Sequence, residues 1–172
     1  MHLVRSVSIG LLLAALSATV SALDVLGFEL SVTTRQVFLD RLKGNTTLNE
    51  ILASDRYIIH GYTVLFDQEQ FPSMKRAGFM FDASDRLCMV FLEVPPELFD
   101  VEVERARGLY RLIGATRDPN GARDAYFSEG TNRISIEIKP QWPSAVVMMM
   151  NAAYRKDSDA RLRANGFQSK YD

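Results

Sequence analysis

The chain has one cysteine, Cys88, and two histidines in 172 residues. A single thiol excludes an internal disulfide. The fold must then stand on its hydrophobic core. His2 falls in an apolar leader, so His60 is the one histidine left to a mature chain. That is too few soft or imidazole ligands for a histidine-cysteine metal site. Excess charge of either sign is also missing: 20 Lys and Arg stand against 21 Asp and Glu. Without a basic stripe, nucleic acid is not an expected partner. G-x-S-x-G, H-E-x-x-H and glycine-rich phosphate loops are absent. No motif names a reaction, so the expectation is no catalytic residue, no metal and no cofactor.

Only the start of the chain carries a long apolar run. "MHLVRS" supplies one cation, Arg5, and "VSIGLLLAALSATV" follows, with small residues at Val20 and Ala22. This is the layout of a secretory signal peptide cleaved after Ala22. The run is short for a bilayer span of about 20 residues, and no basic flank follows it. The expected organisation is a leader over 1–22, one α+β domain over 23–154 and a charged C-terminal tail over 155–172. An exported protein without disulfides at this size points to a bacterial periplasmic or secreted location. The sequon at Asn45-Thr46-Thr47 is the one opposing hint.

Local patterns then order the elements. Thr33 and Gln36 make a capping box, Val32 and Val37 a hydrophobic staple, and Gly44 a stop, which predicts a helix over 34–43. Thr47 and Glu50 repeat the box and predict a short helix within 46–54. "RYIIHGYTVLF" (56–66) reads as a strand, and 77–82 with 87–94 as a hairpin. Phe99, Val103, Ala106, Tyr110 and Ile113 lie on one helical face, closed by Gly114. A second hairpin spans 125–139, and "VVMMMNAAY" (146–154) forms the last strand. The predicted product is an antiparallel sheet with helices packed on one face. It has the order of a diverged tandem repeat, a helix plus two or three strands in each half.

Strand alternation places Ile134, Ile136 and Ile138 toward a core, and Arg133, Ser135 and Glu137 away from it. The opposite sheet face is then a partly polar platform. Tyrosine, tryptophan, methionine and arginine suit interface anchors. The candidate partner-binding residues are therefore Tyr126, Arg133, Glu137 and Met149 on the platform, with Phe71 and Trp142 on proline-stiffened loops. Core packing explains the methionine run as a whole, with Met149 its ambiguous member. Cys88 alternates with Val90, Leu92 and Val94 and reads as a buried small hydrophobe.

Gly27, Leu30, Ser31, Thr33 and Val37 fit the pattern G-x-x-L-(S/T)-x-(S/T)-x-x-x-V. This resembles the start of helix–strand–strand modules in exported bacterial proteins. Those include the outer-membrane assembly lipoproteins of the SmpA type and the tandem β-lactamase inhibitory proteins. The lipidation cysteine of the first and the paired cysteines of the second are missing here. The resemblance implies a non-catalytic protein that binds another protein on a sheet face. The expected partner is an enzyme or toxin, neutralised as by an inhibitor or immunity protein. An envelope-assembly component is the alternative. A small hydrolase built around His60 is the third expectation.

Overall fold

The β-branched and aromatic runs of this sequence pair almost entirely into one sheet. The computed structural model describes residues 24–51, 57–67 and 69–166. The expected leader lies outside the described residues, as do the last six residues. A two-residue hairpin comes first, β1 (Asp24–Val25) against β2 (Phe28–Glu29). Leu26 and Gly27 both have positive φ, 57° and 80°. That tight turn matches the twist of paired strands. Next come α1 (Arg35–Arg41), β3 (Leu48–Ile51), β4 (Ile58–Leu65), β5 (Arg76–Asp82) and β6 (Leu87–Val94). A 3-10 turn at Pro96–Leu98 leads into α2 (Phe99–Leu109). The chain ends with β7 (Arg111–Arg117), β8 (Arg123–Glu129), β9 (Asn132–Ile138), β10 (Ala145–Met150) and α3 (Ala152–Ala164).

Eight strands form one antiparallel sheet in the order β3-β4-β5-β6-β10-β9-β8-β7. The fold is α+β, as the element order predicted. Each half is a helix followed by a four-strand meander, so the repeat unit is one to two strands longer than expected. The halves meet where β6 pairs with β10, and Asn151 pins that seam. Its backbone N–H donates to Cys88 O at 2.9 Å, and its side chain to Ser31 Oγ at 2.9 Å.

The two additional strands occupy equivalent places, the first strand of each half. Residues 48–51 form β3 and not a helical turn, because Asn45 captures the Thr47 N–H at 2.8 Å and β4 supplies a ladder. The predicted second helix stops at Leu109. Tyr110 takes extended angles, and the segment up to Arg117 pairs with β8. The capping of α1 is shifted by one residue. Thr34 accepts from Val37 N at 3.3 Å, and Thr33 instead accepts from Glu29 N at 2.8 Å. Val32 and Val37 are both exposed, so the expected staple does not form.

Phe38 of α1 and Phe99, Val103 and Ala106 of α2 share one core with the rings and aliphatics on one sheet face. Burying a side chain such as Phe38 contributes about 2–3 kcal/mol. The last strand ends at Met150, and residues 152–164 form α3, where 152–154 were expected to continue the strand and 155–172 to be a solvated turn or frayed tail. Asn151 caps it by accepting from Tyr154 N at 2.8 Å. Only Tyr154 of α3 is buried. It packs with Ile58, Met80, Cys88 and Met89 on the sheet face opposite α1 and α2. Cys88 is fully buried as predicted, but a register shift between Met80 and Phe81 turns it to the α3 side.

Candidate protein-binding face

The antiparallel register lays out the face opposite α1 and α2 as three rows. The first runs Gly61, Met80, Met89, Met150, Arg133, Ser128, Arg111. Tyr154 of α3 seats against its methionines. The second row runs Thr63, Gly78, Phe91, Met148, Ser135, Tyr126, Gly114. Its large side chains are Phe91, Met148 and Tyr126, with small residues on either side. A Cβ on Gly78 would lie 2.0 Å from Phe91 Cε1, so the ring lies over that glycine. The third row runs Leu65, Arg76, Glu93, Val146, Glu137, Asp124, Thr116. It is charged and tied together laterally: Arg76 Nε donates to Glu93 Oε1 at 3.1 Å, and the Thr116 hydroxyl donates to Asp124.

Phe91, Met148, Val146, Tyr126 and Glu137 are all partly exposed. Phe91, Met148 and Val146 form an apolar patch, with Glu137 beside Val146 and Tyr126 beyond buried Ser135. Of the expected anchors, Tyr126 and Glu137 lie here, with the Tyr126 hydroxyl 3.5 Å from Glu137 Oε1. Met149 does not. It pairs with Ile134 and Val90 and is buried in the α1–α2 core, while Met148 and Met150 point the other way. Arg133 is on the face but only 6 % exposed, so it is part of the packing and no protruding anchor. Trp142 is half-buried at one end of the sheet, with Lys139 Nζ 4.6 Å from its ring centre. Lys75 ties that turn to the β4–β5 loop by donating to Pro143 O at 2.9 Å. Phe71 folds back on Phe66, ring centres 5.5 Å apart. Phe66 packs on the helix-covered core, so Phe71 is turned away from Tyr126.

Phe91, Val146 and Met148 were missed from sequence. Alternation split the methionines correctly, but nothing local says which set meets the helices. The register with β9 carries that information, since the isoleucine face was already legible.

The His60 expectation has its own geometry. His60 Nδ1 is 3.5 Å from Glu50 Oε1, and Tyr62 Oη is 3.4 Å from the same carboxylate oxygen. Arg35 donates to Tyr62 Oη at 3.5 Å and to Asp85 Oδ1 at 3.0 Å. These two bonds, the Tyr62 one first, raise the Arg35 pKa and hold it charged. Glu50 is exposed at the sheet edge, and Cys88 lies on the opposite face with its Sγ on Met80 O at 3.2 Å. The histidine and carboxylate are together, but the thiol is not with them. Among the described residues, no three His, Cys, Asp or Glu side chains group as metal ligands. No described helix is long and apolar enough to cross a membrane. Compared with family models, curated proteins and solved structures, the chain matches none.

Proposed function

We propose that this is an exported, non-catalytic protein that binds another protein through the part of the sheet face outside the Tyr154 contact. The row Phe91, Met148, Ser135, Tyr126 carries the reading. It joins an aromatic ring, a methionine and a tyrosine across four adjacent strands; Phe91 and Met148 border the cluster that Tyr154 of α3 covers, and both stay partly exposed, as does Tyr126. Aromatic side chains give large contact areas at low entropic cost, and methionine adapts its shape. The backbone beneath is a rigid antiparallel ladder, so little ordering is needed on binding. Occlusion of an enzyme or toxin by this face is the mode we favour. An envelope-assembly factor would use the same surface and differ only in partner.

The test is a pull-down with the tagged chain from residue 23 onward, against envelope and secreted fractions of its host, read by mass spectrometry. The expected result is one stoichiometric enzyme or toxin that is lost with Tyr126→Ala and Met148→Glu. Envelope-assembly components captured in its place would shift the reading to the alternative. No partner from either fraction would defeat it and direct attention to substrates near His60.

A further inference from the structure

Sulfur is unevenly distributed among the described residues. The larger core, under α1 and α2, buries 22 side chains, and Met149 is the one among them that carries sulfur. The smaller cluster, under Tyr154, gathers ten, and five carry sulfur: Met80, Cys88, Met89, Met148 and Met150. Methionine used only to fill gaps would serve the larger, more irregular volume at least as often. A flat strand face is filled as well by β-branched residues. The concentration of sulfur on one side of the sheet therefore asks for a chemical reason.

The register brings these groups together. Met80 lies directly opposite Met89, and Met89 directly opposite Met150, so three thioethers stand in line on β5, β6 and β10. Cβ atoms of directly opposite residues are about 4.5–5.5 Å apart, within reach of each other for unbranched side chains. The register shift between Met80 and Phe81 adds the thiol. It sets the consecutive residues Cys88 and Met89 on one face, with Cys88 Sγ 3.2 Å from Met80 O. Met80 Sδ rests over Gly61, 2.9 Å from where a Cβ there would be. The absent side chain leaves it room to turn, and ligation brings it back over Met89. Met80 and Met89 are buried, whereas Met150 is partly exposed, so an ion arriving from the open sheet face meets Met150 first. Tyr154 closes the α3 side.

We propose that Met80, Met89, Met150 and Cys88 form a binding site for one soft monovalent ion of the Cu(I) class. Thioethers with a thiolate are the ligands such an ion prefers. Zn(II) takes thiolate, imidazole and carboxylate, and only one such group belongs to this cluster. On binding, Cys88 gives its proton to solvent, and the thiolate offsets the single positive charge, so no net charge is buried. The ion keeps its oxidation state. This site stands whether or not the sheet face binds a protein.

The probes are Ag(I), which is redox-inert, and Cu(I) kept reduced by ascorbate, added to the untagged chain from residue 23 onward. One equivalent of Cu(I) should pass to the protein from a chromogenic chelator such as bicinchoninate, and Zn(II) should not bind. With methyl-labelled methionine, Ag(I) should shift the NMR signals of Met80, Met89 and Met150 and leave those of Met74 and Met149 in place. Met89→Leu and Met150→Leu nearly conserve volume and should keep the fold, as urea unfolding checks. Each should weaken binding by about tenfold or more, a loss that even removal of an outer-shell partner can bring. Cys88→Ala should weaken it further, since it removes the one charged ligand. Failure to draw Cu(I) from the chelator overturns the proposal, as does affinity unchanged in the folded leucine variants. Methyl shifts centred on Met74 or Met149 also overturn it, because the ion is then bound elsewhere. Unchanged affinity in Cys88→Ala strikes the thiol from the ligand set.

Discussion

The two halves reach the same arrangement with different side chains. In the first half α1 is seven residues long and buries one residue, Phe38. That ring meets Phe28, Tyr62, Phe79 and Phe81 at centroid distances of 5.1, 5.5, 4.8 and 5.3 Å. In the second half α2 is eleven residues long and buries Phe99, Val103 and Ala106 over Phe127, Ile134 and Ile136. A short helix has room for one inward side chain, so that side chain must be large and its partners must be rings. A longer helix spreads the same contact over three positions, one of them small enough for close approach. The lesson is that a helix-plus-meander unit constrains the volume beneath its helix far more than the residues that fill it.

Single substitutions should separate the halves most sharply at their helices. Phe38→Ala removes a fully buried ring with four ring neighbours, and should cost about 4–5 kcal/mol. Val103→Ala removes one of three contributors, and should cost about 2 kcal/mol. Urea unfolding of both variants checks this. Equal losses would break the comparison, because the load would then be shared alike in the two halves.

The last helix follows the second half in sequence but seats its one buried residue on the first. Tyr154 lies against Met80, Cys88, Met89 and Ile58, with the Tyr57 ring 5.4 Å away. Tyr154→Ala should cost about 3 kcal/mol. It should also expose the Cys88 thiol, which is fully buried in the wild type. Reaction with a thiol-specific dye would then pass from undetectable in the native protein to ready in the variant. An unreactive thiol in the variant would show that the sheet alone protects Cys88.

How much of this was legible depended on how each segment is buried. The hairpin β5–β6, the isoleucines of β9 and the inward positions of α2 follow from periodicity, since each has a consistent inner face. β3 and β7 did not, because edge strands are paired on one side only. There, local helical signals such as Thr47–Glu50 and the Tyr110–Ile113 spacing outweighed a ladder that only tertiary structure provides. α3 was illegible for a related reason: one buried tyrosine makes no stripe. Tyr126 and Glu137 were found by alternation along one hairpin. Met149 faces the helices, and Arg133, on the expected face, is covered there; alternation gives parity, not the identity of the covered face or the depth of covering.

Smaller effects concentrate in the second half, where polar groups are buried. Ser135 is 1 % exposed, and its hydroxyl has no hydrogen-bond partner among the described residues. Ser135→Ala removes an unmet polar group, and should leave stability unchanged or raise it by about 1 kcal/mol. A clear loss in urea unfolding would mean that the hydroxyl does have a partner.

Buried carboxyls extend the contrast to pH. Burial raises the pKa of Glu102, against the opposing pull of Arg105, and burial also raises that of Glu129. One Glu129 oxygen, Oε2, is buried without a hydrogen-bond partner among the described residues. A carboxyl whose folded pKa lies above its unfolded value binds its proton more tightly in the native state. Its contribution is present below the ordinary value of 4.5 and is lost as pH rises through the folded value. Glutamine mimics the protonated form at every pH. The Glu102→Gln, Glu129→Gln double variant should therefore match wild type at low pH. At neutral pH it should melt higher. Thermal melts across that range decide the matter. A gain at low pH as large as at neutral pH would mean that the substitutions act through packing and not through the proton.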